Sequence, residues 1–262
     1  MTTQSANNNG DVLTPPVMIS LTSGKGGVGK TSLAVNLAFA LSTVGRRVLL
    51  VDGDLGLANV DVLLRINVKR TLRDILDNGE DPLDVLVPIE EHLFVLPASS
   101  GAPQMLQLGA KEQAYFEQVL RRIASGFEFI LFDTAAGIGT SVLWLNAFAD
   151  HNIVVVTPDP TSMTDAYALI KVMSKEYDRR RFHVLLNHVR EEKEARDTFN
   201  TLANVATRFL DIKPELLGVV PHDAEVAKAV REQIPFLKRA PQSKAARAVR
   251  TVAQRMVTMG NG

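Results

Sequence analysis

The amino-acid sequence predicts an α/β fold: a doubly wound, mostly parallel sheet with helices on both faces. Three observations carry that prediction. Short aliphatic runs alternate with helix-length segments along nearly the whole chain. The runs are continuously apolar, as strands buried on both faces must be. Polar residues gather where the runs end, at Ser23, Asp52, Asp133, Asn187 and at Pro221 with Asp223. In open α/β sheets, ligands bind beyond the carboxyl ends of the strands, so five strand ends point to one functional edge.

In chain order, residues 1–16 are rich in Thr, Ser, Asn and Gly and close on Pro15-Pro16, the composition of a flexible tail. Residues 17–262 then read as a single domain. Val17 to Thr22 is an apolar strand, followed by a glycine-rich loop and a helix from Lys30 to Val44 that Gly45 stops. Further strands are expected at Val48 to Val51, Leu93 to Leu96, Phe129 to Phe132, Ile153 to Val156, Val184 to Leu186 and Leu216 to Val220. Helices are expected at Thr71 to Leu76, Glu112 to Ile123, Asp165 to Tyr177, Ala195 to Phe209, Ala224 to Gln233 and Gln242 to Val257. Parallel neighbours joined by right-handed crossovers give the doubly wound arrangement.

Composition narrows the function. The 262 residues hold 29 basic and 29 acidic side chains, so a globally basic, nucleic-acid-coating protein is not indicated. The absence of cysteine removes disulfides, thiolate metal sites, iron–sulfur clusters and cysteine nucleophiles. No apolar run approaches the roughly 18 residues of a membrane span, and no secretory signal opens the chain. A cytoplasmic location is expected.

Gly24-Lys25-Gly26-Gly27-Val28-Gly29-Lys30-Thr31 matches G-x-x-x-x-G-K-[ST], after a strand and before a helix, as that phosphate-binding loop requires. Glycines let the backbone N–H groups face phosphates, and the helix N-terminus adds partial positive charge. Gly24 to Ser32 is therefore the expected ATP/ADP-binding segment. Lys30 is placed to contact the β- and γ-phosphates and Thr31 to ligate Mg²⁺. Val51-Asp52-Gly53-Asp54 sets two carboxylates at i and i+2 off a strand end, which suits a metal-bound polyanion but also an ordinary turn. Phe129-Ile130-Leu131-Phe132-Asp133 delivers another carboxylate to the same edge.

With Lys25 as a second lysine at the head of the loop, the segment closely resembles the deviant Walker A loop of the MinD/ParA ATPases. The resemblance implies that Lys25 crosses an ATP-dependent homodimer to the partner's phosphates, as an arginine finger does; alone, Lys25 reads equally well as a solvated loop lysine. It further implies that Asp54 activates water in switch I, that Asp52 and Asp133 flank Mg²⁺, and that the N–H of Gly137 approaches the γ-phosphate from switch II. Asn187 and Pro221 resemble base-lining positions, although both also fit strand-end turns. Lys25, Lys30 and Asp54 are thus the expected catalytic residues, with Thr31, Asp52 and Asp133 at the metal.

Three stretches, Asp54 to Leu64, Leu96 to Gly101 and Thr157 to Lys171, look like the flagellar-number regulators of the FlhG (FleN) branch. That branch implies control of flagellar number and placement. Partners would be a signal-recognition-type GTPase, flagellar switch components or a transcription regulator, met in the cytoplasm, at the inner membrane or at the pole. The chain departs from the pattern in three places. The tail lacks the Asp-Gln-Ala activator motif, switch II reads Asp133-Thr134-Ala135-Ala136-Gly137, and Gly262 follows soon after the last expected helix. Membrane attachment is accordingly expected to be weak or absent. On that helix, Ala245, Val249, Val252, Met256 and Met259 share one face, opposite Lys244, Arg247, Arg250 and Arg255. Docking on the sheet with the basic face in water is favoured over lying on a membrane. The basic patch leaves a ParA-type DNA- or cargo-partitioning role as the alternative, beside a nucleotide-gated binding module with little hydrolysis. Iron-protein reductases need cysteines that are absent, and bacterial tyrosine kinases a terminal tyrosine cluster.

Overall fold

The computed structural model describes residues 15–54, 59–98 and 109–259. Most of the expected tail lies outside the described residues, as do residues 55–58 and 99–101 in the first two of the three regulator-like stretches. Among the described residues, eight strands form one sheet: β1 (Val17–Ser23), β2 (Val48–Gly53), β3 (Val87–Glu90), β4 (Leu93–Leu96), β5 (Phe129–Ala136), β6 (His151–Val156), β7 (His183–Val189) and β8 (Glu215–Pro221). Their order across the sheet is β3-β4-β2-β5-β1-β6-β7-β8. All neighbours are parallel except β3 and β4, which form an antiparallel edge pair.

The strands are apolar on both faces because both faces are covered. Val48 and Leu50 of β2 and Phe129 and Leu131 of β5 face α1 (Lys30–Thr43) and α11 (Lys244–Met259). Leu49, Val51, Ile130 and Phe132 face α5 (Ala110–Ala124) and α6 (Thr140–Phe148). Beyond them, Val154, Val156, Val184 and Leu186 pack against α7 (Pro160–Glu176) and α8 (Glu192–Leu210). The last helix is docked as expected: Ala245, Val249, Val252 and Met256 are buried in the same cluster as Leu33, Leu37 and Leu41 of α1. On its other side, Arg247, Arg250 and Arg255 donate to the carbonyls of Gln242, Pro241 and Leu217.

Several short elements go beyond the expected set. They are α2 (Val60–Leu64), α4 (Pro82–Val85), β3, α6 and α10 (Phe236–Arg239), beside the expected α3 (Leu72–Asn78) and α9 (Ala224–Glu232). Helix α6 has no legible helical period in the sequence because Ser141 to Asn146 are all buried, which leaves no polar stripe to reveal one. A buried polar cluster fixes it: Asn146 donates to Thr22 Oγ1 at 3.0 Å and accepts from Ser20 at 2.7 Å, while Asn152 donates to Ser20 Oγ at 2.8 Å.

Candidate functional site: a phosphate loop facing a carboxylate pair

Gly29 and Gly27 hold left-handed backbone conformations, φ 87° and 77°, where any side chain would be strained. At Gly29 a Cβ would also lie 2.5 Å from Asn187 Nδ2, and at Gly24 2.2 Å from the backbone of Asp165. The loop is thus wedged between the ends of β7 and α7. Asn187 closes the wedge by donating to the carbonyl of Val28 at 2.8 Å. It reaches there because β7 bulges: the register with β8 shifts after Leu186, and His188 sits at φ 59°.

Asp52 and Asp133 are direct register partners on β2 and β5, and both are buried. The Lys30 ammonium bonds Asp133 Oδ1 at 2.9 Å, 8% exposed against 0%. The other oxygen, Oδ2, is buried with no partner among the described residues, and so is Ser32 Oγ at the start of α1. Buried polar atoms are almost always satisfied, so two orphans beside a phosphate loop mark where a ligand's polar groups belong. Burial first, and the Asp133 charge second, push Asp52 up to about 7, against the pull of the Val60, Asp54 and Asn59 amides. Two buried carboxylates with one lysine leave a negative site that a divalent cation would balance. The residues present therefore fit Mg²⁺ with a nucleotide: Thr31, Asp52 and Asp133 around the metal, Lys30 and Ser32 toward phosphates.

Asp52 also organises switch I. Its Oδ1 accepts from the Asp54 amide at 3.1 Å, and its Oδ2 accepts from Asn59 and Val60 at 3.1 and 3.2 Å. Asp54 is half-buried at the mouth of the site. Gly137, at φ 94°, donates its N–H to the Ser23 carbonyl at 2.8 Å instead of presenting it to the site. Reaching a phosphate would require exchanging that bond.

Lys25 stands apart from the other charges. Its ammonium lies 3.2 Å from Asp159 Oδ1 and also bonds Thr161 Oγ1, at the N-terminus of α7 of its own chain. Asp159 caps that helix by accepting from the Thr161 and Ser162 amides at 2.8 and 3.1 Å. Hydrogen bonds from Thr161, Ser162 and Lys25 hold its carboxyl far below the usual range. Sequence reasoning did not single out Asp159, although Asp159-Pro160-Thr161-Ser162 is a legible helix start. It also missed His188 and His222, whose rings meet edge to face at 6.2 Å beside Asn187 and Pro221. Asp223 is accounted for structurally, since it accepts from Glu225 at the start of α9 and from Ala245 at the start of α11.

Residues 19–236 match the model of the CobQ/CobB/MinD/ParA nucleotide-binding domain. The chain belongs to the MinD/ParA family of P-loop ATPases. Among relatives, it is 43% identical to the antiactivator FleN of Pseudomonas aeruginosa over 92% of this chain and 86% of that protein. It is 33% identical to the flagellum site-determining protein YlxH of Helicobacter pylori, over 92% and 81%. Among solved structures, the septum site-determining protein MinD of Pyrococcus horikoshii, complexed with Mg-ADP, superposes with a TM-score of 0.77 at 27% identity. That match covers 93% of this chain and 97% of that one. The resemblance that Lys25 and the carboxylates imply thus extends over nearly the whole MinD/ParA-type fold. No described helix is long and apolar enough to cross a membrane.

Proposed function

We propose that this protein binds and hydrolyses ATP with Mg²⁺ as a monomer–dimer switch, and that the switch regulates flagellar number or placement. The observation that carries the nucleotide chemistry is the buried Lys30–Asp133 pair with its orphaned Asp133 Oδ2. The flagellar role rests on the two flagellar relatives, which match 92% of the chain.

In this reading, the Gly24 to Ser32 loop and Lys30 bind the β- and γ-phosphates, and Lys30 pairs with Asp133 beside the metal. Bound Mg²⁺ would neutralise phosphate charge as the leaving group departs. Asp54 orients the attacking water and accepts its proton. Asn187 and Pro221 line the base. Lys25 leaves Asp159 and enters the partner protomer's site, so the ATP-bound form is a homodimer. Gly137 exchanges its bond to Ser23 for one to the γ-phosphate. Partners are flagellar regulatory or assembly proteins: a signal-recognition-type GTPase, switch components or a transcription regulator. The DNA-partitioning alternative loses support because Arg247, Arg250 and Arg255 are engaged with the protein's own carbonyls.

Flagella counted per cell in the parent organism test the proposal. Deletion of the gene should change the number, wild-type protein should restore it, and the Lys30→Ala protein should not. Unchanged flagellation on deletion would remove the flagellar assignment and leave the ATPase.

A further inference from the structure

The structure assigns Gln233 as a positioning residue that latches α2, the helix that follows switch I, to α9 and α10. The inference builds on the reading of Asp54 as the water-orienting residue. Gln233 closes α9 in a left-handed conformation, φ 55° and ψ 43°. Glycine takes that position freely, whereas a larger side chain does so at a cost. A non-glycine residue held there directs attention to what its side chain does.

Both ends of the Gln233 amide are engaged on α2. Its Oε1 accepts from Arg65 Nε at 2.7 Å, and its Nε2 donates to the Val62 carbonyl at 2.9 Å. Arg65 is itself the left-handed residue that ends α2, at φ 52°. Two helix C-termini therefore meet, and the side chain of one gives a second hydrogen bond to a carbonyl, that of Val62, which the Arg65 amide caps at 3.3 Å. Behind Gln233 the support is firm. Arg239 of α10 bonds Glu232 at 2.6 Å and also Glu225, both on α9. Leu237 of α10 donates its buried amide to Asn36 of α1 at 2.9 Å. A continuous path of polar contacts thus joins the phosphate-loop helix to α2.

The other end of α2 is held at the metal site, where Asp52 accepts from Asn59 and Val60. The five-residue helix is pinned at both ends across a groove of ≈ 440 Å³ lined by Thr31, Asn59, Val62, Val230 and Gln233. A cation drawing on the Asp52 carboxylate would weaken the bonds at the N-terminal end. The Gln233 latch then keeps α2, and with it the Asn59 and Val60 amides, against Asp52, whose other oxygen accepts from the Asp54 amide. Losing the latch should lower turnover and leave nucleotide binding, which rests on α1 and its loop, nearly unchanged.

The test is Gln233→Gly in the full chain. Glycine relieves the left-handed backbone, which offsets the two hydrogen bonds lost, so the variant should fold with a Tm close to wild type. The latch predicts at least about fivefold faster hydrogen exchange at the amides of residues 63–66. It also predicts about a fivefold fall in kcat with the Mg-ADP Kd within about twofold. Arg65→Ala should have a similar effect, and the double variant should add nothing to either single change. Unchanged exchange at residues 63–66 would overturn the latch. Faster exchange with an unchanged kcat would overturn its positioning role. Asp54→Ala measured in parallel separates the two readings: wild-type turnover there would reject water positioning, while the exchange data still decide the latch.

Discussion

Replacing Asp52 by Asn should remove a pH-dependent instability from the nucleotide-free protein. Asp52 is 1% exposed and lies beside Asp133, and its carboxyl is pushed from 3.8 to about 7. The folded protein therefore holds this proton more tightly than the unfolded chain does. The contribution to stability is full below the unfolded value and is lost as pH rises through about 7. The whole shift corresponds to about 4 kcal/mol, of which about 2 kcal/mol falls between about pH 5.5 and about pH 8. His151, His183 and His188 are all lowered, mainly by burial, so they act in the opposite sense: they destabilise the fold as pH falls. Comparing wild type with Asp52→Asn cancels their effect. Urea denaturation across that range should give a stability difference that moves by about 2 kcal/mol in favour of the variant as pH rises. Mg²⁺ with ADP should shrink the difference, because a cation offsets the charge of the pair. A difference independent of pH would refute the claim that burial beside Asp133 sets the Asp52 proton affinity.

Three further outcomes follow from the same site. Lys30→Ala leaves Asp133 buried without its cation, so urea denaturation should give a loss of about 3 kcal/mol, and nucleotide titration should detect no binding. Asn187→Ala removes the bond that wedges Val28 in place, and calorimetry should find ATP binding about tenfold weaker. Asp159→Ala takes away the carboxylate that holds Lys25 within its own chain. Its ATP-dependent dimer should form at lower protein concentration than that of wild type, provided that chromatography without nucleotide shows a folded monomer.

The phosphate loop was legible because its determinants are consecutive: one strand end, four glycines, two lysines and one helix start. Asp52 and Asp133 were legible as strand-end carboxylates, although only the sheet register reveals that they face each other. The orphaned Asp133 Oδ2 and Ser32 Oγ are products of packing and leave no trace in sequence. The Lys25–Asp159 pair spans 134 positions, so neither residue announces the other. The bonding of Gly137 to Ser23 depends on how switch II closes over β1, which composition does not encode. Helix α6 was hidden by burial on all sides. Edge strand β3 was hidden because it is partly exposed and carries Pro88, which normally argues against a strand. The left-handed positions of His188 and Gln233 went unseen because such conformations are expected at glycine.

The central claim is that ATP converts this chain from a monomer to a dimer in which Lys25 acts across the interface. Sedimentation velocity on the Asp54→Ala protein tests it most directly, since that variant should bind ATP without consuming it. The expected result is a dimer with Mg-ATP, a monomer with Mg-ADP, and a monomer with either nucleotide once Lys25→Ala is added. A monomer with Mg-ATP, or a dimer that persists without Lys25, would contradict it.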